Sequence, residues 1–285
     1  MKNSWILTYS CPDISGIQAF ISTFIYEHSG FMEEVQAHSD KETKTFYSRL
    51  AFSPANGDAF DVDKFRADLA KAAIDFRMDW SLNPASRKMP TIIAVSKFGH
   101  CLNDLLYRWK TGALPIDIKA VVSNHETLRP MSEFYGLDFH HIPITRETKM
   151  ESEAEFLNIV NASGAELIVL ARYMQILSDG LSAKWAGRCI NIHHSFLPSF
   201  KGARPYHQAY QRGVKLIGAT AHYVTTDLDE GPIIEQDVER VDHTLTPAHL
   251  IEQGRDIEAR VLSRAVKWHA THRVFMIGQR TIVMR

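Results

Sequence analysis

Four short apolar runs, at residues 92–95, 120–122, 167–170 and 189–192, broken only by Asn191 in the last, constrain this chain more than any other feature. A strand that is apolar at every position must be covered on both faces, because one face open to water would show polar residues at alternate positions. Helical stretches at 102–109, 151–160 and 178–185 fall between these runs. Alternating strands and helices give a parallel sheet with helices on its faces. The expectation is an α/β protein whose part from residue 90 onward is a Rossmann-like domain with a mainly parallel sheet. A strand pair at 220–224 and 232–238 and a long helix over 247–272 complete it.

The first 80 or so residues carry a different pattern. Residues 4–9 make a short apolar run, and Asp13 stands where a helix N-cap belongs. Ile14, Ile17, Ile21, Phe24 and Ile25 recur at helical spacing, with Gly30 placed for a left-handed C-terminal cap. Strands at 31–37 and 46–52 flank the polar turn 39–42, and a second helix over 62–76 leads to a strand at 77–80. The order βαββαβ gives an antiparallel sheet with both helices on one face, the ferredoxin-like arrangement. The polar stretch 81–88, containing Pro84, separates the two patterns. The expected organisation is a ferredoxin-like domain over 1–83, a linker over 84–89 and the Rossmann-like domain over 90–285.

Composition removes several classes of function. The 285 residues are 45% hydrophobic and 23% charged, which is ordinary for a globular protein. Thirty-two basic and 33 acidic side chains supply no field to draw nucleic acid or an anionic membrane. No apolar run approaches the ~18 residues of a membrane span, and the start is too short for a signal sequence. Cys11, Cys101 and Cys189 are odd in number and far apart, with no disulfide framework or zinc spacing. A cytoplasmic protein is expected.

In open α/β sheets ligands collect beyond the carboxyl ends of the strands. The run at 189–192 ends in Asn191, Ile192, His193, His194 and Ser195. Alternation along a strand turns Asn191 and His193 to the same side, so an amide donor and an imidazole converge. The loop 196–205, with Gly202 between Pro198 and Pro205, can wall a pocket, and Pro205 suits the start of a helix. The loop 225–232 carries Asp227, Asp229 and Glu230, one of which can face the imidazole, although acidic loops are commonly solvated turns. His222 either orients a carboxylate or is a core histidine. His193, His194, His207 and Asp229 also admit a metallohydrolase, but without ligand spacing on one helix.

The stretch from Asn191 to Gly202, His222, and the run Asp229-Glu-Gly-Pro-Ile-Ile at 229–234 resemble the folate-dependent formyltransferase family. The N-terminal unit is similar to ACT regulatory domains. With His194 in place of a common Pro and the run Ala-Arg-Pro-Tyr-His-Gln-Ala-Tyr at 203–210, the whole chain is similar to the members that release the formyl group to water. The resemblance implies hydrolysis of 10-formyltetrahydrofolate to formate and tetrahydrofolate, supplying formate for purine synthesis and balancing the one-carbon pool; the alternative is transfer to an amine. It implies Asn191, His193 and Asp229 as the catalytic trio. It places the folate along Tyr173, Met174, Gln175, Ile176 and Leu177 and along Thr225, Thr226 and Asp227. His194, His222, Lys201 and Gly202 stand in support, His194 as catalyst, orienter or mere neighbour. Gln175 departs from the Arg common in relatives. Glycinamide ribonucleotide transformylases hold their acceptor's phosphate on a Gly-rich turn after the first strand of this domain. Here the turn 96–103 has Phe98 and His100 beside Gly99, so water is the expected nucleophile. No metal and no cofactor beyond the folate substrate are implied. An amino-acid effector, glycine or methionine, is implied at Cys11, Pro12, Asp13, Ser15 and Gly16, with assembly as a homo-oligomer, a dimer or tetramer. A unit that only oligomerises is the other reading of this domain, and a non-enzymatic amino-acid sensor built on it, with an inactive second domain, is a further reading of the whole chain.

Overall fold

Two units build the molecule in the computed structural model, which describes residues 3–55, 60–197 and 205–285. One unit takes Met1–Arg87, Thr271–Phe275 and Met284–Arg285; the other takes Lys88–Ala270 and Met276–Val283.

In the first unit β1 (Trp5–Pro12), α1 (Ile17–Glu27), β2 (Gly30–Asp40), β3 (Thr45–Pro54), α2 (Val62–Asp75) and β4 (Asp79–Pro84) follow in order. Their antiparallel sheet runs β2-β3-β1-β4, the ferredoxin-like topology. Leu7, Tyr9 and Cys11 from β1 and Leu50 and Phe52 from β3 pack with Ile21 and Ile25 of α1 and Phe65 and Leu69 of α2. Asp61 caps α2 by accepting the Lys64 N–H at 2.9 Å.

Three local expectations need correction. Asp13 does not cap α1, because Gly16 takes a left-handed φ of 90° and delays the helix to Ile17. Asp13 instead accepts from the Ser39 hydroxyl, and its N–H donates to the Lys44 carbonyl at 2.9 Å. Gly30 is not the left-handed cap. Ser29 takes that conformation at φ 57°, and Gly30 opens β2 where a Cβ would stand 2.6 Å from Ile25 Cγ2. The last strand starts at Asp79 and not at Arg77, which has φ 49°. It runs on through residues that read as a polar spacer because Leu82 is its only buried side chain.

The second unit contains β5 (Met89–Val95), α3 (His100–Lys110), β6 (Ile116–Ser123), a 3₁₀ turn (Glu126–Leu128), α4 (Arg129–Phe134), β7 (Phe139–His141) and α5 (Lys149–Ser163). It continues with β8 (Leu167–Leu170), α6 (Asp179–Lys184), β9 (Cys189–His193), α7 (Pro205–Arg212), β10 (Leu216–Tyr223), β11 (Ile233–Arg240) and α8 (Pro247–Ala270). A seven-stranded sheet runs β11-β10-β9-β8-β5-β6-β7; it is parallel from β9 to β7, and β10 and β11 add antiparallel. Phe156 of α5 and Trp185 after α6 meet edge-on at 4.9 Å and close the core over Ile92, Ile168 and Cys189. On α8, Gly254, Ile257, Val261, Leu262 and Ala265 make the buried stripe. The final helix ends at Ala270, and β12 (Val274–Ile277) pairs with β13 (Arg280–Val283) in a separate two-stranded sheet. No helix among the described residues is long and apolar enough to cross a membrane. The three cysteines are free and buried.

Candidate active site

The strand order sets β8, β9 and β10 side by side, and their ends bring the chemistry together. β9 ends at His193, and the antiparallel register sets Asn191 opposite His222 of β10. The loop after β10 carries Asp229, whose φ of 57° turns its carboxylate back toward the strands. Gly231 permits that return: a Cβ there would lie 1.8 Å from the Tyr223 carbonyl oxygen, so the loop closes against the end of β10 only without a side chain.

Asp229 Oδ2 lies 3.3 Å from His193 Nδ1, and Oδ1 lies 3.7 Å from His222 Nε2. His222 is buried, with Nδ1 2.9 Å from the Tyr223 carbonyl, which fixes a proton on that nitrogen. Its Nε2 faces Asn191 Nδ2 at 3.3 Å. Neutral, the ring accepts from Asn191; protonated, it donates to Asp229, so each form holds one of the two groups. Burial alone would raise the Asp229 pKa, but hydrogen bonds from His193 and His222, reinforced by their charge, hold it well below the usual carboxylate range. The site therefore contains a fixed anion. His193 Nε2 is buried and has no hydrogen-bond partner among the described residues. A buried ring nitrogen without a partner costs free energy unless a ligand supplies one, which marks the place where a substrate polar atom fits.

His194 stacks on His193 with ring centroids 5.0 Å apart. Burial, then the charges of Arg172 and His193, pulls its pKa down to about 4, so it is neutral near pH 7.

After β8, Tyr173 and Leu177 are buried, whereas Met174 and Ile176 are exposed apolar side chains and Gln175 is half-buried. The Met174 N–H donates at 2.9 Å to the Ser96 hydroxyl, which donates at 2.7 Å to Asn124 Oδ1, so this segment is tied to the ends of β5 and β6. On the facing loop Thr225 Oγ1 donates to the Asp227 carbonyl at 3.0 Å, and Thr226, Asp227 and Leu228 are exposed. Two segments with exposed apolar side chains, Met174 and Ile176 on one and Leu228 on the other, suit a flat aromatic ligand. Lys201, Gly202 and most of the loop 196–205 lie outside the described residues. In the first unit, Cys11 is buried at the end of β1, while Pro12, Asp13, Ser15 and Gly16 form an exposed turn before α1.

A second cluster escaped the sequence reading. Glu258, buried on α8, takes hydrogen bonds from His100 Nε2 at 2.8 Å and the Tyr206 hydroxyl at 2.7 Å. Arg172, at the end of β8, brings Nε to 3.4 Å from Glu258 Oε2. Burial would raise the Glu258 pKa, but His100, Arg172 and Tyr206 outweigh it and hold the carboxylate ionised. One signal was available: residue 258 falls within the apolar stripe of the final helix, where a carboxylate is out of place unless it is paired. His100, Cys101 and Glu258 also bring ligand atoms within 4.8 Å of one another, the only such group among the described residues. The Arg172 guanidinium already supplies the cation for that carboxylate, and burial pushes the Cys101 thiol well up, both of which oppose metal binding there.

Comparison with known proteins identifies the family. The formyl transferase family profile matches residues 89–266. A formyltetrahydrofolate deformylase from Corynebacterium sp. (strain P-1) is 49% identical over 281 residues, 98% of each chain. One from Bacillus subtilis is 46% identical over 97% of this chain and 92% of its own. The crystal structure of a formyltetrahydrofolate deformylase from Burkholderia mallei superposes with a TM-score of 0.94 at 48% identity, over 99% of this chain and all of that one. The chain belongs to the formyl transferase family, in the group of the formyltetrahydrofolate deformylases.

Proposed function

We propose that this protein hydrolyses 10-formyltetrahydrofolate to formate and tetrahydrofolate, with Asn191, His193 and Asp229 as the groups that act on the formyl carbon. The observation that carries the assignment of roles is the unpartnered, buried His193 Nε2, on a ring that shares one side of β9 with Asn191 and has Asp229 behind Nδ1. Hydrolysis of a formamide passes through a tetrahedral intermediate bearing a negative oxygen, and donors aimed at that oxygen lower the barrier. Asn191 Nδ2–H and His193 Nε2–H, the latter in the imidazolium form, are those donors. Asp229, ionised far into the acid range, holds the His193 ring and accepts the proton lost by the attacking water. Collapse of the intermediate breaks the bond between N10 and the formyl carbon, and N10 takes up a proton through His193 or water. The scheme requires no metal.

The folate lies along Tyr173–Leu177 and Thr225–Asp227, a reading supported by the exposed apolar side chains of Met174, Ile176 and Leu228 on those two segments. The released formate feeds purine synthesis and balances the one-carbon pool. The first unit acts as a regulatory and assembly domain: the exposed turn 12–16 takes a small amino acid such as glycine or methionine, and the chain forms a homo-oligomer in the cytoplasm. Turnover in ¹⁸O-labelled water tests the chemistry. One labelled oxygen in each formate is expected, and formate without label would rule out attack by water on the formyl carbon.

A further inference from the structure

The cluster around Glu258 is costly to build, and the trio does not need it. Arg172 has a φ of 64°, in the left-handed region that strains a non-glycine residue. Its side chain is 11% exposed, and its Nε has no hydrogen bond among the described residues although it lies 3.4 Å from Glu258. Its guanidinium also sits 5.5 Å from the centre of the Phe98 ring, which Arg255 approaches at 5.9 Å. Tyr206 reaches Glu258 only because α8 has glycine at 254, where a Cβ would come within 2.2 Å of the phenol oxygen.

Location gives the cluster its meaning. β8 lies between β9, which carries His193 and His194, and β5, whose following turn carries Phe98 and His100. Asp229 closes the β10 side of His193. With the folate along the segments after β8 and β10, the approach that the described residues leave to a second substrate lies over the ends of β8 and β5. Arg172, Phe98, His100, Tyr206 and Glu258 meet there.

We propose that the Arg172–Glu258 pair, braced by His100, Tyr206 and Phe98, determines specificity: it fills the strand-end crevice beside His194, so that water, but no amine acceptor, reaches the formyl carbon. This inference rests on the hydrolase reading. Opening the crevice lets an amine compete: its nitrogen bonds to the formyl carbon, the bond to N10 breaks, and N10 takes the proton that the amine loses.

The test measures the partition of the formyl group between formate and formohydroxamate when full-length protein turns over 10-formyltetrahydrofolate with hydroxylamine, corrected for the enzyme-free reaction. Wild type and Arg172→Lys, which keeps bulk and charge, are expected to give formate almost alone. Arg172→Gly is expected to raise the hydroxamate-to-formate ratio by about tenfold or more. The double variant Arg172→Gly/Glu258→Gln removes both charges and leaves neither buried alone, so it serves if the single variant does not fold. The ratio is read from whatever turnover remains, which separates selectivity from a general loss of activity. A hydrolysing wild type alongside variants with an unchanged ratio would overturn the proposal alone. A wild type that releases no formate without hydroxylamine would overturn the hydrolase reading and this proposal together.

Discussion

At the scale of single residues, the proposed trio and its neighbours carry the expected effects on turnover and on the response to pH. On the proposed reading, replacing Asn191 or His193 by Ala removes a donor to the developing oxyanion and is expected to lower turnover roughly 100 to 1000 fold. Asp229→Ala is expected to do the same while leaving folate binding, followed by ligand fluorescence, within a few fold. His194 gives a stability prediction. It protonates near pH 6.5 in the unfolded chain and near about 4 in the folded one, so the native state loses stability as pH falls from about 6.5 to about 4 and is unaffected above that window. His194→Gln is expected to flatten the denaturation midpoint across this window; an unchanged slope would contradict the assignment. Asn191 and His193 were legible in the sequence because alternation along an apolar run decides which side chains share a face. Arg172 and Glu258 were not, since their pairing joins residues 86 positions apart, numbers 172 and 258, on a strand end and a helix.

Elements place those residues. The parallel strands β5, β6, β8 and β9 were readable because each contains a largely apolar run, and β8 coincides with its run in the sequence. β7 escaped notice because three residues, two of them His, carry too little periodicity to stand out. The return of the loop after β10 depends on Gly231. Gly231→Ala sets a methyl group against the Tyr223 carbonyl, so it is expected to displace Asp229, to destabilise the fold by about 1–3 kcal/mol and to lower turnover as severely as Asp229→Ala. A denaturant midpoint and a turnover assay on one preparation check both effects; wild-type values would show that the loop closes by another route.

For the whole molecule, the first unit is not a simple N-terminal domain. Arg273, from the far end of the chain, donates to Glu34 at 3.0 and 2.9 Å, and the same carboxylate takes Arg49 Nη1 at 2.7 Å. Arg49 is buried in β3 and also donates to the Thr271 carbonyl at 3.1 Å. The ferredoxin-like pattern in the first 84 residues gives no hint of this closure, because its partners come from residues that read as the tail of the other pattern. Arg273→Ala is expected to lower the stability of the first unit by about 1 kcal/mol, since one ionic partner is lost from a partly exposed carboxylate. A thermal scan read by a fluorescent reporter in that unit checks it. The central claim concerns the reaction, and it is tested most directly by supplying metal-free protein with 10-formyltetrahydrofolate and no amine. Formate and tetrahydrofolate in equal amounts are expected over many turnovers. Tight folate binding without formate release would contradict the account and point to a transferase waiting for its acceptor.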